Sequence, residues 1–508
     1  MLTIIYVAGF ALSAVFLATW FYKQRRDGGA LFPFLLLGSI AAFVIGVLSS
    51  EITFDQKLLV LFRDLIVLGF VGMISRLFLK RFPLFLFGLI LLVLGLRVYY
   101  NHFMENALVV TPAVALDQDG ELLMELAEGA DLDQLDAVFQ KYDVNAVRAF
   151  HPESPDRTDL DDYYVLDVLP AGTDLNALKT DLNQTGIVDW IEGNEVIKVE
   201  PEQESRELPE INRKFGINDP GLEHLWAFDA MHMDELYDLL DQAKVKPRKT
   251  AVVAILDTGV DAKHEDLADN FTSTQSKYDN DPRGHGTHCA GIAGAVSNNN
   301  RGVASYSRNN GFVKLTSIKV LNSSGMGTQQ SIINGIIEAA DQGVDVISLS
   351  LGGYSNQAKQ RAYEKAVKYA NDAGCIVVAA AGNSNRNAKD FAPVNAKGVI
   401  GVSAIDENLS RAVFSNTVED IKLGIAAPGV NIYSTMPDNT YKSLNGTSMA
   451  TPYVSGLVGL LKSIKPELTT KQAHSLLESS GKTTKSGDET GRLIQPMQAV
   501  KLLLEQKK

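Results

Sequence analysis

Four long apolar runs crowd into the first hundred residues, at 1–22, 31–49, about 58–79 and about 82–100. A run of about 20 apolar residues spans a bilayer as a helix, and hydrocarbon forces each backbone group to find its hydrogen bond within the segment. The reading is therefore four transmembrane helices over residues 1–100. The first run is no signal peptide, because it lacks a basic start and its positive cluster (Lys23, Arg25, Arg26) lies after the apolar stretch. Arg76, Lys80 and Arg81 lie between runs three and four, whereas the loop between runs two and three carries only Lys57 against Glu51 and Asp55. Basic loops stay cytoplasmic, so four spans put the N-terminus and everything beyond residue 100 outside the cytoplasm, periplasmic or extracellular. Arg97, Tyr99 and Tyr100 suit an interfacial end to the last span. Arg63 and Asp64 read as snorkelling groups near a helix end rather than as a polar relay.

The chain has 508 residues, enough for two to four folded units. Its net charge of −13 argues against nucleic acid, which needs a basic face. Two cysteines, Cys289 and Cys375, are too few for a disulfide framework and read as buried free thiols.

Residues 105–200 read as a small α+β unit. Strand-like stretches at 121–126, 145–150, 163–169, 188–191 and 196–199 alternate with helical spacing at 131–142 and with a helix capped by Thr173 that runs to about 183. The order strand–helix–strand–strand–helix–strand matches a ferredoxin-like sandwich. Residues 201–214 are polar, contain Pro209, and read as a linker. From 215 to 508 short apolar runs at 251–256, 314–320, 344–350, 376–380 and 399–403 alternate with amphipathic helices such as 331–342 and 357–373. That pattern is α/β: a doubly wound parallel sheet with helices on both faces.

Three segments of this last region carry chemistry. DTGV at 257–260 ends a strand, GHGTHCAG at 284–291 opens a helix, and GTSMATP at 446–452 opens another, with Pro452 read into its first turn. Strand ends and helix starts gather at the carboxyl edge of an open α/β sheet, where sites form. Ser448 offers a hydroxyl between small residues, His285 a base to take its proton, and Asp257 a carboxylate to orient the imidazole. Asn383, in AAAGN at 379–383, and the Ser448 backbone N–H can donate to a tetrahedral oxyanion. Loss of one such donor costs about 3–4 kcal/mol of barrier.

With DTGV, HGTHCAG, SLGG at 350–353, AAAGN and GTSMATP in this order, residues 215–500 resemble the subtilisin-like serine peptidases. The resemblance implies a serine endopeptidase that works through an acyl-enzyme and needs no cofactor for its chemistry. It assigns the base to His285, makes His288 structural, and places Cys289 beneath the base as in the proteinase K-like variant, with sensitivity to mercurials. It also implies that Gly325, Met326 and Gly327 face Ser350, Leu351 and Gly352 across an extended polypeptide substrate. Residues 350–352 with Ala380, Ala381 and Gly382 would wall the pocket beside the scissile bond, and residues 384–393 would supply its floor. Asp266 with Ser297, Asn299, Arg301 and Val303 resembles the family's structural calcium site, against the plain reading of an Asn-rich turn without metal. Residues 105–200 resemble the family's propeptide, an inhibitor whose C-terminal tail would lie in the cleft, with self-cleavage within about 200–215.

Two other readings stand beside a membrane-anchored zymogen. One is a catalytically silent subtilase fold used as a tethered binding module, which a lost triad or oxyanion residue would favour. The other gives the membrane region itself a sensing or docking role.

Overall fold

The computed structural model describes residues 2–24, 31–50, 54–75, 82–100, 114–170, 172–199, 213–355 and 360–506. The chain divides into two units, Met1–Ala113 and Val114–Lys508.

The first unit holds helices α1 (Leu2–Gln24), α2 (Leu31–Leu48), α3 (Phe54–Ser75) and α4 (Phe82–Tyr99). α1 and α2 touch through glycine: a Cβ on Gly9 would fall 2.5 Å from the Phe43 nitrogen, and one on Gly46 2.8 Å from the Tyr6 nitrogen. Small residues permit such close backbone approach between apolar helices. Among the described residues three stretches are long and apolar enough to span, Ile5–Tyr22, Leu31–Leu48 and Gln56–Ser75. The expected fourth span shows, among the described residues, a shorter apolar stretch, Phe87–Tyr99, with Arg97 in the last turn of its helix. Asp64 also departs from expectation, since it sits mid-way along α3, fully buried, rather than at a helix end. It accepts from the Tyr6 hydroxyl at 2.6 Å and the Tyr99 hydroxyl at 2.5 Å, and pairs with Arg63 Nε at 2.7 Å. A buried carboxylate without these donors would be costly, so partners from α1, α3 and α4 converge on it.

The second unit begins with β1 (Leu122–Leu126), α5 (Asp136–Tyr142), β2 (Val144–Arg148), β3 (Tyr163–Val168), α6 (Leu175–Gln184) and β4 (Val188–Gly193). The sheet is antiparallel in the order β2-β3-β1-β4, the ferredoxin-like arrangement. Asp174, not Thr173, caps α6: its carboxylate accepts from the Asn176 and Ala177 amides, while the Thr173 hydroxyl donates to the Pro170 carbonyl. The last expected strand, β5 (Val196–Lys198), lies outside this sheet.

Next come α7 (Trp226–Ala230), α8 (Met233–Gln242), β6 (Ala251–Asp257), α9 (His285–Gly294), β7 (Val313–Lys319), β8 (Met326–Thr328), α10 (Gln329–Asp341) and β9 (Val346–Leu349). They are followed by β10 (Gly353–Tyr354), α11 (Arg361–Asp372), β11 (Ile376–Ala380), β12 (Phe391–Ala392), β13 (Val399–Ile405) and β14 (Gly424–Pro428). β15 (Ile432–Met436), β16 (Thr440–Leu444), α12 (Thr447–Ile464), α13 (Thr470–Ser480) and α14 (Pro496–Glu505) complete the unit. The main sheet is parallel in the order β14-β13-β11-β9-β6-β7. β14 is a sixth strand beyond the five expected; Gly424 and Pro428 at its ends make it read as loop. Side chains alternate across the sheet with period two. Val253 and Ile255 face the core under α9 and α12, and Ala254 and Leu256 face α10 and α11. Leu123, Phe150 and Tyr163 of the ferredoxin-like region join this second core. β7 and β9 flank β6 on opposite sides, so the strand order reverses at β6, and the crevice at its carboxyl end is where open α/β sheets bind ligands.

Candidate active site

β6 delivers Asp257 to that crevice, and α9 begins there with His285. The two segments meet closely: a Cβ on Gly286 would stand 2.0 Å from the Gly259 carbonyl oxygen, so only glycine fits. His285 Nδ1 lies 2.7 Å from Asp257 Oδ1, with both side chains buried. A carboxylate only accepts, so Nδ1 carries the proton and Nε2 is left as the basic nitrogen. The thiol of Cys289, one helical turn on, is buried in the same cluster: single ligand atoms of Asp257, His285 and Cys289 lie within 4.8 Å of one another. His288 is buried as well, but it faces elsewhere and bonds the Lys442 carbonyl through Nε2 at 2.9 Å.

Ser448 is the second residue of α12. Its hydroxyl donates to the Ser350 carbonyl at 3.0 Å, and the Ser350 hydroxyl returns a bond to the Ser448 carbonyl at 2.8 Å. Cys289 Sγ donates to the same carbonyl at 3.5 Å. Pro452 explains why that carbonyl is open. It sits in the second turn of α12, not the first as expected, four residues after Ser448. Without an N–H it leaves the Ser448 carbonyl out of the helix ladder.

Asn383 follows β11 and turns its Oδ1 to Thr447, accepting from the backbone N and from Oγ1, both at 2.8 Å. The oxygen end of the amide is thereby engaged, so the NH2 end is the one that can donate beside Ser448. Asn416, which no motif marked, shapes this loop: it donates to the Ala381 carbonyl at 2.8 Å and accepts from the Ser384 and Arg386 amides. Gly382, at φ 99°, lies so close that a Cβ would stand 2.5 Å from Asn416 Nδ2.

On the other side of the cleft β8, with Met326 and Gly327, pairs antiparallel with β5: Val196 opposes Thr328, Ile197 opposes Gly327, and Lys198 opposes Met326. The Val199 amide continues the ladder to the Gly325 carbonyl at 3.0 Å. The side chain of Ile197 reaches 3.0 Å from where a Cβ on Gly353 would sit, beyond the Ser350, Leu351, Gly352 segment. Extended chain thus lies along the first of the two segments expected to hold substrate. Of residues 200–215, where cleavage is expected, 200–212 fall outside the described residues.

The model of the Subtilase family matches residues 248–493. Thermitase of Thermoactinomyces vulgaris is 46% identical over 220 residues, covering 42% of this chain and 75% of thermitase. The chain belongs to the subtilase family. Subtilisin DY of Bacillus licheniformis is 44% identical over 243 residues, 46% of this chain and 84% of that protein. A solved protease structure from Pseudoalteromonas arctica PAMC 21717 is 28% identical with a TM-score of 0.50, covering 56% of this chain and 99% of that one. This subtilase is a serine endopeptidase, and its substrates are polypeptides.

Subtilases often bind structural calcium, and the expected loop can be tested for fit. Asp266 is fully buried; its carboxylate accepts from the Val303 amide at 2.7 Å and from Asn299 Nδ2 at 2.8 Å. Beside it lies a residue the sequence reading missed. Asp219, also buried, accepts from the Asn298 and Asn299 amides at 2.7 and 3.2 Å. Burial pushes the Asp266 carboxyl up to about 7, and the neighbouring Asp219 adds to this. The nearby Arg301 guanidinium points to Glu265 instead, at 3.6 Å. Two buried acids on one turn suit a hard dication. The fit is partial on the other donors: the Asn299 amide oxygen already accepts from the Arg301 amide and the Ser297 carbonyl from Asn310 Nδ2, so each has one lone pair engaged.

Proposed function

We propose that this subtilase is a membrane-anchored endopeptidase in which Ser448 is the nucleophile, His285 the general base and Asp257 the carboxylate that orients it. The observation that carries this is the buried 2.7 Å contact between His285 Nδ1 and Asp257 Oδ1, which commits the imidazole to the tautomer a base needs. In the reaction His285 takes the Ser448 proton as Oγ attacks the carbonyl. Asn383 and the Ser448 amide donate to the oxyanion, and the leaving amine takes the proton from His285. Water then repeats the sequence to free the enzyme.

Residues 114–199 act as an attached inhibitor in this reading. Support comes from the β5–β8 pairing and from two buried carboxylates that dock on helix starts. Glu192 accepts from the Arg361 and Ala362 amides at the start of α11 and from Gln329 at the start of α10. Glu195 accepts from Gln360 at 2.6 Å. Negative charge is favoured at a helix N-terminus. In this reading the first cut falls within residues 200–215. The basic groups at residues 23–26 and 76–81 are cytoplasmic, the N-terminus and the endopeptidase lie on the opposite side, and α4 makes the return crossing. At about 1.5 Å per residue its 18 residues reach about 27 Å, close to the roughly 30 Å of hydrocarbon. A structural calcium ion held by the Asp219 and Asp266 carboxylates completes the proposal.

The test is intact-mass analysis of the membrane-expressed chain beside Ser448→Ala. The wild type is expected to be cut within residues 200–215, with the mutant left whole. Equal cutting of both would remove Ser448 as the nucleophile of processing.

A further inference from the structure

We infer that Asp281, which lies four residues before His285 and touches neither the base nor the nucleophile, is the positioning residue that sets the Asp257–His285 geometry. The inference rests on the triad reading above.

Asp281 is buried in the loop between β6 and α9. Its Oδ1 accepts from the Thr258 hydroxyl at 2.8 Å, the Gly284 amide at 2.9 Å and the Arg283 amide at 3.2 Å. Its Oδ2 accepts from the Thr287 amide and the Thr287 hydroxyl, both at 2.8 Å. These five donors come from two places. Thr258 directly follows Asp257, and Gly284 and Thr287 bracket His285 in sequence. One carboxylate therefore fastens the strand that bears the acid to the helix turn that bears the base.

The Thr258 hydroxyl adds a second link. Its proton goes to Asp281, so its lone pair faces the Gly286 amide at 3.1 Å. The Thr258 amide meanwhile donates to Asp257 Oδ1 at 2.7 Å, the same oxygen that His285 reaches. A carboxylate that accepts five bonds holds its neighbours in a single geometry. A positioning error of about 1 Å at reacting groups costs on the order of 100-fold in rate.

Charge gives Asp281 an effect that a purely structural residue would lack. His285 begins α9, where the helix N-terminus disfavours the imidazolium form. The Asp281 carboxylate bonds the amides of that first turn and offsets their field. With Asp281→Asn the imidazolium loses this support, and the pKa of the base falls.

The experiment measures the rate of fluorophosphonate labelling of Ser448 from about pH 5 to about pH 9, on the full chain in detergent. Asp281→Asn is expected to label 10- to 100-fold more slowly, with the acid limb of its profile moved to lower pH. Thr258→Val keeps the charge but cuts the link. It is expected to label at least tenfold more slowly with the limb in place, and Thr258→Ser is expected to recover most of that loss. Wild-type rate and limb in Asp281→Asn overturn the inference. If Asp281→Asn fails to fold, the Thr258 pair decides: equal rates in Thr258→Val and wild type overturn it too. Absence of labelling in wild type that has been cut within residues 200–215 and freed of the inhibitor segment overturns the triad reading itself, and the inference with it.

Discussion

Ser350 and Ser448 exchange hydrogen bonds, each hydroxyl donating to the other's backbone carbonyl, at 2.8 and 3.0 Å. The exchange is open to Ser448 because Pro452 withdraws its carbonyl from the helix ladder. It ties the end of β9 to the start of α12, so the segment expected to bind substrate is bonded to the proposed nucleophile.

Pro452→Ala restores a donor four residues after Ser448. The helix then competes with Ser350 and Cys289 for the Ser448 carbonyl, and the first turn of α12 shifts. Labelling by a serine-directed phosphonate is expected to slow about tenfold, while Tm stays level or rises, since alanine suits a helix interior better by about 3 kcal/mol. A wild-type labelling rate would show that the carbonyl's release has no bearing on the nucleophile.

The two thiols are expected to differ sharply toward mercury. Cys289 borders the proposed base and nucleophile, so a soft metal bound there displaces both. Cys375 is buried at the opposite end of the sheet strands, bonded to the Val344 carbonyl, and burial pushes its thiol up to about 12. Mercurial treatment should inactivate the wild type and Cys375→Ala alike, reversibly with excess thiol, and should leave Cys289→Ala active. The measurement is residual peptidase activity after titration, and inactivation of Cys289→Ala would place the sensitive group elsewhere.

Calcium and pH are linked through Asp266. Its folded-state pKa, about 7, lies above the usual carboxylate value because burial disfavours the charged form. Such a group contributes stability in full below its unfolded pKa and loses it as pH rises through about 7. Chelator-treated protein is therefore expected to melt lower at about pH 8 than at about pH 5, and added calcium to raise Tm more at the higher pH. Asp266→Asn should flatten both dependences. Equal Tm with and without calcium at about pH 8 would leave the loop a turn held by hydrogen bonds alone.

Much of the molecule was legible in the residues themselves. The endopeptidase sheet was readable because strands buried on both faces become continuous apolar runs, and five of its six strands carry that signal. The proposed Asp257, His285, Ser448 and Asn383 stand in short motifs at strand ends and helix starts, so local pattern alone pointed to them. The apolar helices were readable because a run of about 20 apolar residues suits a helix whose backbone groups pair within the segment.

Other features depend on groups far apart in the chain, and only the tertiary structure decided them. Asp64 reads as a helix-end charge until hydroxyls from residues 6 and 99 are seen to meet it. Residues 196–198 read as one more strand of the small domain, yet their ladder runs to β8, well over a hundred residues away. Asp219 is brought beside Asp266 by folding, and Asp281, outside every motif, gathers donors from both DTGV and GHGTHCAG. The physical reason is common to these cases. Periodicity and motif record what a segment does locally, whereas a buried polar group takes its role from whichever donors the fold brings within about 3 Å.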